Sequence, residues 1–279
     1  MTEISASIVS KLREMTGAGL MNCKQALMET GGDIEKAVEL LRKKGVATAA
    51  KKSMRDAREG IIAYYISPDS TVGVLIEVNC ETDFVAKNEQ FKAFAADAAR
   101  RISADPKVDL EPDRVQLVAR TGENVKIQRF ERWQVSGNGL IAAYIHTGSK
   151  IGVLVEVGAG KTDSVANEQF KELVKDITLQ IAAASPLAVS RDGIDPKIIE
   201  KEKEIAREQV KNKPPQAIEK IVAGKIEKFY QTYCLLEQGF VKQPDISVKD
   251  HIAAVAKNIG DEITIRRFLR YQVGESVGA

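Results

Sequence analysis

The chain has 279 residues, of which 44% are apolar and 29% charged, with a net charge of +2. That is the composition of an ordinary globular protein with room for two or three domains, and the balanced charge calls for neither nucleic acid nor an acidic membrane as partner. Three scattered cysteines (Cys23, Cys80, Cys234) without a C-x-x-C pair and only two histidines exclude a usual zinc site and suggest a reducing cytoplasm, while no apolar run approaches the ~20 residues of a membrane span.

Ser5 can cap a first helix with Ile8, Val9, Leu12 and Met15 on one side, and Thr16-Gly17-Ala18-Gly19 ends it. A second helix is expected from about Leu20 to Thr30, with Cys23, Ala26 and Leu27 inward. Asp33 caps a third, with Ile34, Ala37, Val38, Leu40 and Leu41 inward and Gly45 as terminator. Residues 1–55 thus read as a three-helix module, with 46–58 as a solvated helical linker. Leu20 and Met21 flank the glycine turn. Core positions are the ordinary place for such side chains, and an exposed apolar patch for a partner is the alternative.

Beyond the linker the sequence repeats itself. Gly60-Ile61-Ile62-Ala63-Tyr64-Tyr65-Ile66 matches Gly139-Leu140-Ile141-Ala142-Ala143-Tyr144-Ile145, and Val72-Gly73-Val74-Leu75-Ile76-Glu77-Val78 matches Ile151-Gly152-Val153-Leu154-Val155-Glu156-Val157. Each pair predicts a hairpin, and a helix follows at about 87–104 and 167–184. A closing strand ends each copy: Val125 to Val135 matches Ile263 to Val273. The fold class is therefore α+β: two tandem subdomains, 56–138 and 139–279, each with a three-stranded antiparallel sheet. The first copy adds a short helix near 111–121. The second carries a larger insertion at about 190–238, where Asp195-Pro196 opens one amphipathic helix and Pro214-Pro215 separates it from another, a helical hairpin. A helix over 251–258 precedes the last strand.

The junction after the second strand stands out. Thr82-Asp83-Phe84-Val85-Ala86-Lys87-Asn88 is echoed by Thr162-Asp163-Ser164-Val165-Ala166-Asn167. Residues needed for the fold should be shared by both copies, so Asp83, with its twin Asp163, is a candidate helix cap. Phe84 has a serine counterpart. It is either an anchor for a partner or a side chain folded back on its own core. His146 stands where the first hairpin loop has Ser67, and its ordinary reading is an exposed loop histidine. No phosphate loop, dinucleotide loop or metal-ligand spacing is present, so no catalytic residues, metal ligands or cofactor are assigned. An enzyme would need a deep polar pocket joining His146 to carboxylates. An RNA-binding sheet is the other alternative, since Arg129, Arg132, Trp133, Arg266, Arg267 and Arg270 lie on the two closing strands.

Two stretches carry a resemblance. Thr16-Gly17-Ala18-Gly19-Leu20-Met21-Asn22-Cys23-Lys24, with Ala26-Leu27, and Glu77-Val78-Asn79-Cys80-Glu81-Thr82-Asp83-Phe84-Val85-Ala86-Lys87-Asn88 resemble the two signatures of the bacterial elongation factor Ts family. The resemblance covers essentially the whole chain. It implies a cytoplasmic guanine-nucleotide exchange factor that binds elongation factor Tu in translation elongation, with no covalent chemistry, no membrane and no direct contact to nucleic acid. It implies a ubiquitin-associated-like (UBA-like) N-terminal module and a coiled-coil hairpin, and leaves a homodimer through the hairpin or core open. Thr82, Asp83, Phe84 and Val85 match the segment that dislodges magnesium from the partner, with Phe84 as a wedge. His146, Leu20, Met21 and Val125 match further partner contacts. The tail after Tyr271 is shorter than in some members.

Overall fold

The computed structural model describes residues 4–275; residues 1–3 and 276–279, at the outer ends of the expected first and last segments, lie outside them. Helices α1 (Ala6–Thr16), α2 (Leu20–Glu29) and α3 (Ile34–Lys52) bury Val9, Leu12, Ala18, Cys23, Ala26, Leu27 and Ala37 against one another. The expected caps form: Ser5 accepts from the N–H of Ile8, Asp33 from that of Lys36, and Gly17 leaves α1 at φ 66°. Gly45 does not end α3, which continues to Lys52. The position is buried, and an added Cβ would meet Val115 at 3.6 Å, so the glycine marks where α3 passes close to the next unit. The segment expected to be a solvated helical linker is helix as far as Lys52 and largely exposed, but Ala49 on one side of it belongs to that unit's core.

Strands β1 (Glu59–Ile66) and β2 (Val72–Cys80) form the first hairpin. A single turn, α4 (Asp83–Ala86), then leads into α5 (Glu89–Ala104), α6 (Glu111–Thr121) and β3 (Lys126–Gln134). The second copy repeats this with β4 (Gly139–Ile145), β5 (Ile151–Ala159) and α7 (Glu168–Ala184). The insertion supplies α8 (Pro196–Gln209) and α9 (Pro215–Tyr233), which bury Ile199, Ala206, Val222 and Ile226 between them. A small ribbon of β6 (Gly239–Phe240) and β7 (Gln243–Ser247) follows, too short for a periodicity signal. Then come α10 (Val248–Ile259) and β8 (Ile263–Gln272).

Both three-stranded sheets are antiparallel, ordered β1-β2-β3 and β4-β5-β8. Register slips at equivalent places, between Glu77 and Val78 and between Glu156 and Val157. One face of each sheet is covered by its own helix: Phe91, Ala95, Ala98 and Ile102 of α5 in the first copy, Phe170, Leu173, Val174 and Ile177 of α7 in the second. The opposite faces pack on each other through Ile62, Leu75, Trp133, Ile141, Leu154 and Tyr271. Central strands β2 and β5 are thus buried on both sides, which explains why their sequences are apolar without alternation apart from Glu77, Asn79 and Glu156.

The sheet-to-sheet contact is nearly symmetric. A Cβ at Gly73 would come within 2.4 Å of Ile141, and one at Gly152 within 2.4 Å of Ile62. The N–H of Ile62 donates to Ser149 O at 2.7 Å, and that of Ile141 to Ser70 O at 2.8 Å. Arg129 lies 4.0 Å over the Tyr271 ring and Arg267 4.3 Å over the Trp133 ring, each arginine stacking on the other copy's aromatic.

Candidate functional site: the tip at residues 81–88

Strand β2 ends at Cys80, whose thiol donates to the carbonyl of Thr82 at 3.1 Å. Burial, and then the Glu123 carboxylate, push that thiol up to about 12, so it stays protonated and serves packing. Thr82 caps α4, accepting from the N–H of Val85 at 3.4 Å. Asn88 caps α5, accepting from Gln90 N at 2.8 Å, and its counterpart Asn167 does the same for α7 with Gln169 N at 2.8 Å. The sequence expectation that Asp83 caps the helix is therefore corrected. Asp83 sits one residue inside α4, and its carboxylate pairs with Lys87 Nζ at 2.7 Å. That hydrogen bond holds the Asp83 carboxyl below its usual range.

One turn of helix sorts its side chains by direction. Ala86 is buried, Val85 packs partly on the core, and Phe84 points outward with 81% of its surface exposed. Phe84 therefore does not fold back on its own core. In the second copy the equivalent turn, Asp163–Ala166, is a 3₁₀ helix, and Ser164 is only 7% exposed. Its hydroxyl lies beside Asp261 and helps hold that carboxyl below the usual range. Equivalent positions thus invert the normal rule, with the aromatic in water and the hydroxyl inside.

The other candidate residues sit on separate elements. Leu20 and Met21, in the first turn of α2, are 52% and 72% exposed, so they are not core. His146 lies exposed in the β4–β5 loop, its Nδ1 3.1 Å from the Tyr144 hydroxyl. Val125 corrects an expectation: it is fully buried against α5 and α6, so its side chain is not presented to a partner. The surface that suggested an RNA platform is also consumed internally. Glu77 accepts from Arg129 at 2.7 Å, and Glu156 from Arg266 at 3.1 Å and Arg267 at 2.7 Å. Arg132 donates to Ser103 O at 2.8 Å, while Trp133 and Tyr271 are buried between the sheets. Among the described residues no group of three His, Cys, Asp or Glu side chains could hold a metal ion, and no helix is long and apolar enough to cross a membrane.

Sequence reasoning missed the support beneath the tip. Glu123, in the loop after α6, accepts from Glu81 N at 3.1 Å, Thr82 N at 3.0 Å and Thr82 Oγ1 at 2.6 Å. A signal was available: Glu123 lies two residues before the closing strand match at Val125, as Asp261 does before Ile263.

Comparison with known proteins decides the family. The Elongation factor TS family model matches residues 81–275. The chain belongs to the elongation factor Ts family. It is 46% identical to elongation factor Ts of Clostridium botulinum (strain Alaska E43 / Type E3) over 291 residues, covering 98% of this chain and 94% of that protein. It is 45% identical to elongation factor Ts of Clostridioides difficile (strain 630) over 293 residues, covering 99% and 95%. Membership makes it an elongation factor of protein biosynthesis.

Proposed function

We propose that this chain is a cytoplasmic guanine-nucleotide exchange factor that binds GDP-loaded elongation factor Tu and speeds release of GDP, allowing GTP to load. It acts by protein binding, with no covalent chemistry. The observation that carries this reading is the exposure of Phe84 on a capped and clamped turn, when its counterpart Ser164 is buried. A fixed aromatic in water loses little conformational entropy on docking and gains its full burial energy there.

The tip works as a wedge. Phe84 enters between helices of the partner, while Thr82, Asp83 and Val85 help displace the switch region and the magnesium that bridges the nucleotide phosphates. The Asp83 carboxylate pairs with the exposed Lys87, and such surface pairs contribute about 0–1 kcal/mol, so exchanging Lys87 for a group on the partner costs little. Leu20 and Met21 supply a second apolar contact from the N-terminal module, and His146 a third from the β4–β5 loop. Exchange follows only if the nucleotide-free partner is bound more tightly than the loaded one, because equal affinity shifts nothing. On this reading residues 1–55 are a UBA-like docking module, 56–138 and 139–279 the two core subdomains, and the hairpin a coiled coil offering a further partner surface.

The test is release of labelled GDP from elongation factor Tu. Burying a phenylalanine contributes ~2 kcal/mol, about 30-fold in rate. Phe84→Ala is expected to slow stimulated release by that factor with an unchanged melting temperature. A variant as fast as wild type would remove the wedge role.

A further inference from the structure

We infer that Glu123 is a positioning residue for exchange, which sets the direction of Phe84 by holding the Glu81–Thr82 backbone; this rests on the exchange reading above. Beyond Cys80 the β1–β2–β3 ladder stops, and α4 begins at Asp83. The N–H groups of Glu81 and Thr82 fall in this gap. Both donate to one oxygen of Glu123, at 3.1 and 3.0 Å, and the Thr82 hydroxyl donates to the other at 2.6 Å. Three donors converging on one carboxylate form charge-assisted bonds, the stronger kind.

The hydroxyl bond has a geometric consequence. A threonine hydroxyl has one proton, and donating it to Glu123 leaves a lone pair for the N–H of Val85, the cap bond of α4. Glu123 thereby fixes both the backbone entering the turn and the rotation of the cap that starts it. A four-residue turn has no length of its own to resist twisting, so its outward face follows its first residue. The clamp is reciprocal. Glu81 accepts from the N–H of Asn124 at 2.6 Å, and buried Asn124 donates on to Arg55 O at 2.8 Å. Lys52, the last residue of α3, donates to Gly122 O. The loop 122–124 therefore ties the tip on one side and the chain leaving the N-terminal module on the other.

The second copy serves as an internal control. Asp261 occupies the place of Glu123 and accepts from the N–H of Lys161 at 2.9 Å, but the Thr162 hydroxyl does not donate to it; Asp261 lies beside the hydroxyl of Ser164 instead. Thr162 turns to Asn138 at 3.0 Å and makes no side-chain cap. There the turn is 3₁₀ and its second residue is buried. The longer carboxylate accompanies the outward aromatic, the shorter one the inward serine.

The experiment compares Glu123→Ala, Glu123→Gln, Phe84→Ala and the double variant Glu123→Ala/Phe84→Ala in stimulated GDP release. Glu123→Ala is expected to lower the maximal rate about tenfold, with less than a twofold change in half-saturating concentration, since Leu20, Met21 and His146 are untouched. Glu123→Gln, which keeps an acceptor, should recover part of that loss. The double variant should lose clearly less than the product of the two single losses, because much of the effect of Glu123 passes through Phe84 and the remainder through Thr82, Asp83 and Val85. A partner-free readout accompanies these: in a Phe84→Trp/Trp133→Phe background, where the tip carries the sole tryptophan, Glu123→Ala should lower its fluorescence anisotropy and speed amide exchange at Glu81 and Thr82 at least tenfold. Wild-type rates for Glu123→Ala, or losses that multiply in the double variant, would overturn the inference. So would unchanged anisotropy and amide exchange. If Phe84→Ala itself exchanges at the wild-type rate, it is the wedge reading that fails, and the anisotropy and amide data still decide whether Glu123 orders the tip.

Discussion

Phe84 and Ser164 occupy equivalent positions in two copies of one turn, yet the aromatic faces water and the hydroxyl is inside. Neither residue type explains this; their anchoring does. Glu123 reaches Thr82 and secures its cap, while Asp261, one methylene shorter, leaves the Thr162 hydroxyl to Asn138 and lies beside Ser164. The two residues should therefore respond oppositely to truncation. Ser164→Ala removes a buried hydroxyl beside Asp261 and is expected to lower stability by ~1 kcal/mol in thermal unfolding while leaving stimulated release within about twofold of wild type. A large exchange defect from Ser164→Ala would show that the second turn also meets the partner, against the asymmetry argued from exposure.

At the scale of elements, two helices outrun the bounds expected from sequence: α10 starts at Val248 ahead of His251, and α3 passes Gly45. Glycine followed by a run of Ala and Lys reads as a stop and a solvated extension, because Gly is ~1 kcal/mol worse than Ala inside a helix. The helix continues because Ala49 enters the first subdomain's core and Gly45 lies against Val115 and Ala119 of α6. The nearest approach to a built Cβ, 3.6 Å, is ordinary contact, so packing does not require glycine here. Gly45→Ala should therefore raise stability by ~0.5–1 kcal/mol through helix propensity, read as a higher melting temperature. A fall instead would mean that α3 and α6 sit closer than this contact implies. The hairpin of α8 and α9 was legible, since Asp195-Pro196 and Pro214-Pro215 punctuate two amphipathic stretches. The β6–β7 ribbon was not, because two and five residues leave no period to detect.

The whole molecule is held by two copies of one sheet pressed together. Glu77 and Glu156, each a charge within an apolar strand, are buried and anchor the arginines that cross to the other copy's aromatic ring. Burial pushes the Glu156 carboxyl up, but the N–H of Ser136 and the guanidinium groups of Arg266 and Arg267 outweigh it and leave it below the usual range. A carboxylate depressed on folding contributes stability above the unfolded value of about 4.3, and that contribution is lost as pH falls through the folded value. Melting temperature should consequently drop on acidification from about pH 5 to pH 3, and less steeply in Glu156→Gln, which has no such proton to take up. Parallel slopes in the two proteins would show that Glu156 does not contribute to the acid dependence.

Much of this protein is written in local patterns. Periods of 3.6 and 2, capping residues, glycine turns and the 79-residue repeat between hairpins gave the three-helix module, both hairpins, their order and the singularity of Phe84. Such signals are legible because they arise from sterics and hydrogen bonding within a few residues. The tertiary structure decided the rest: that the sheets pack face to face, that Leu20 and Met21 are exposed while Val125 is buried, and that Phe84 points outward. These depend on partners far away in the chain. Glu123 acts on Thr82 from 41 residues away, and Arg129 stacks on a tyrosine in the other copy. No local period records which distant carboxylate has the reach to hold a turn, so the direction of the tip was settled only when the chain closed on itself.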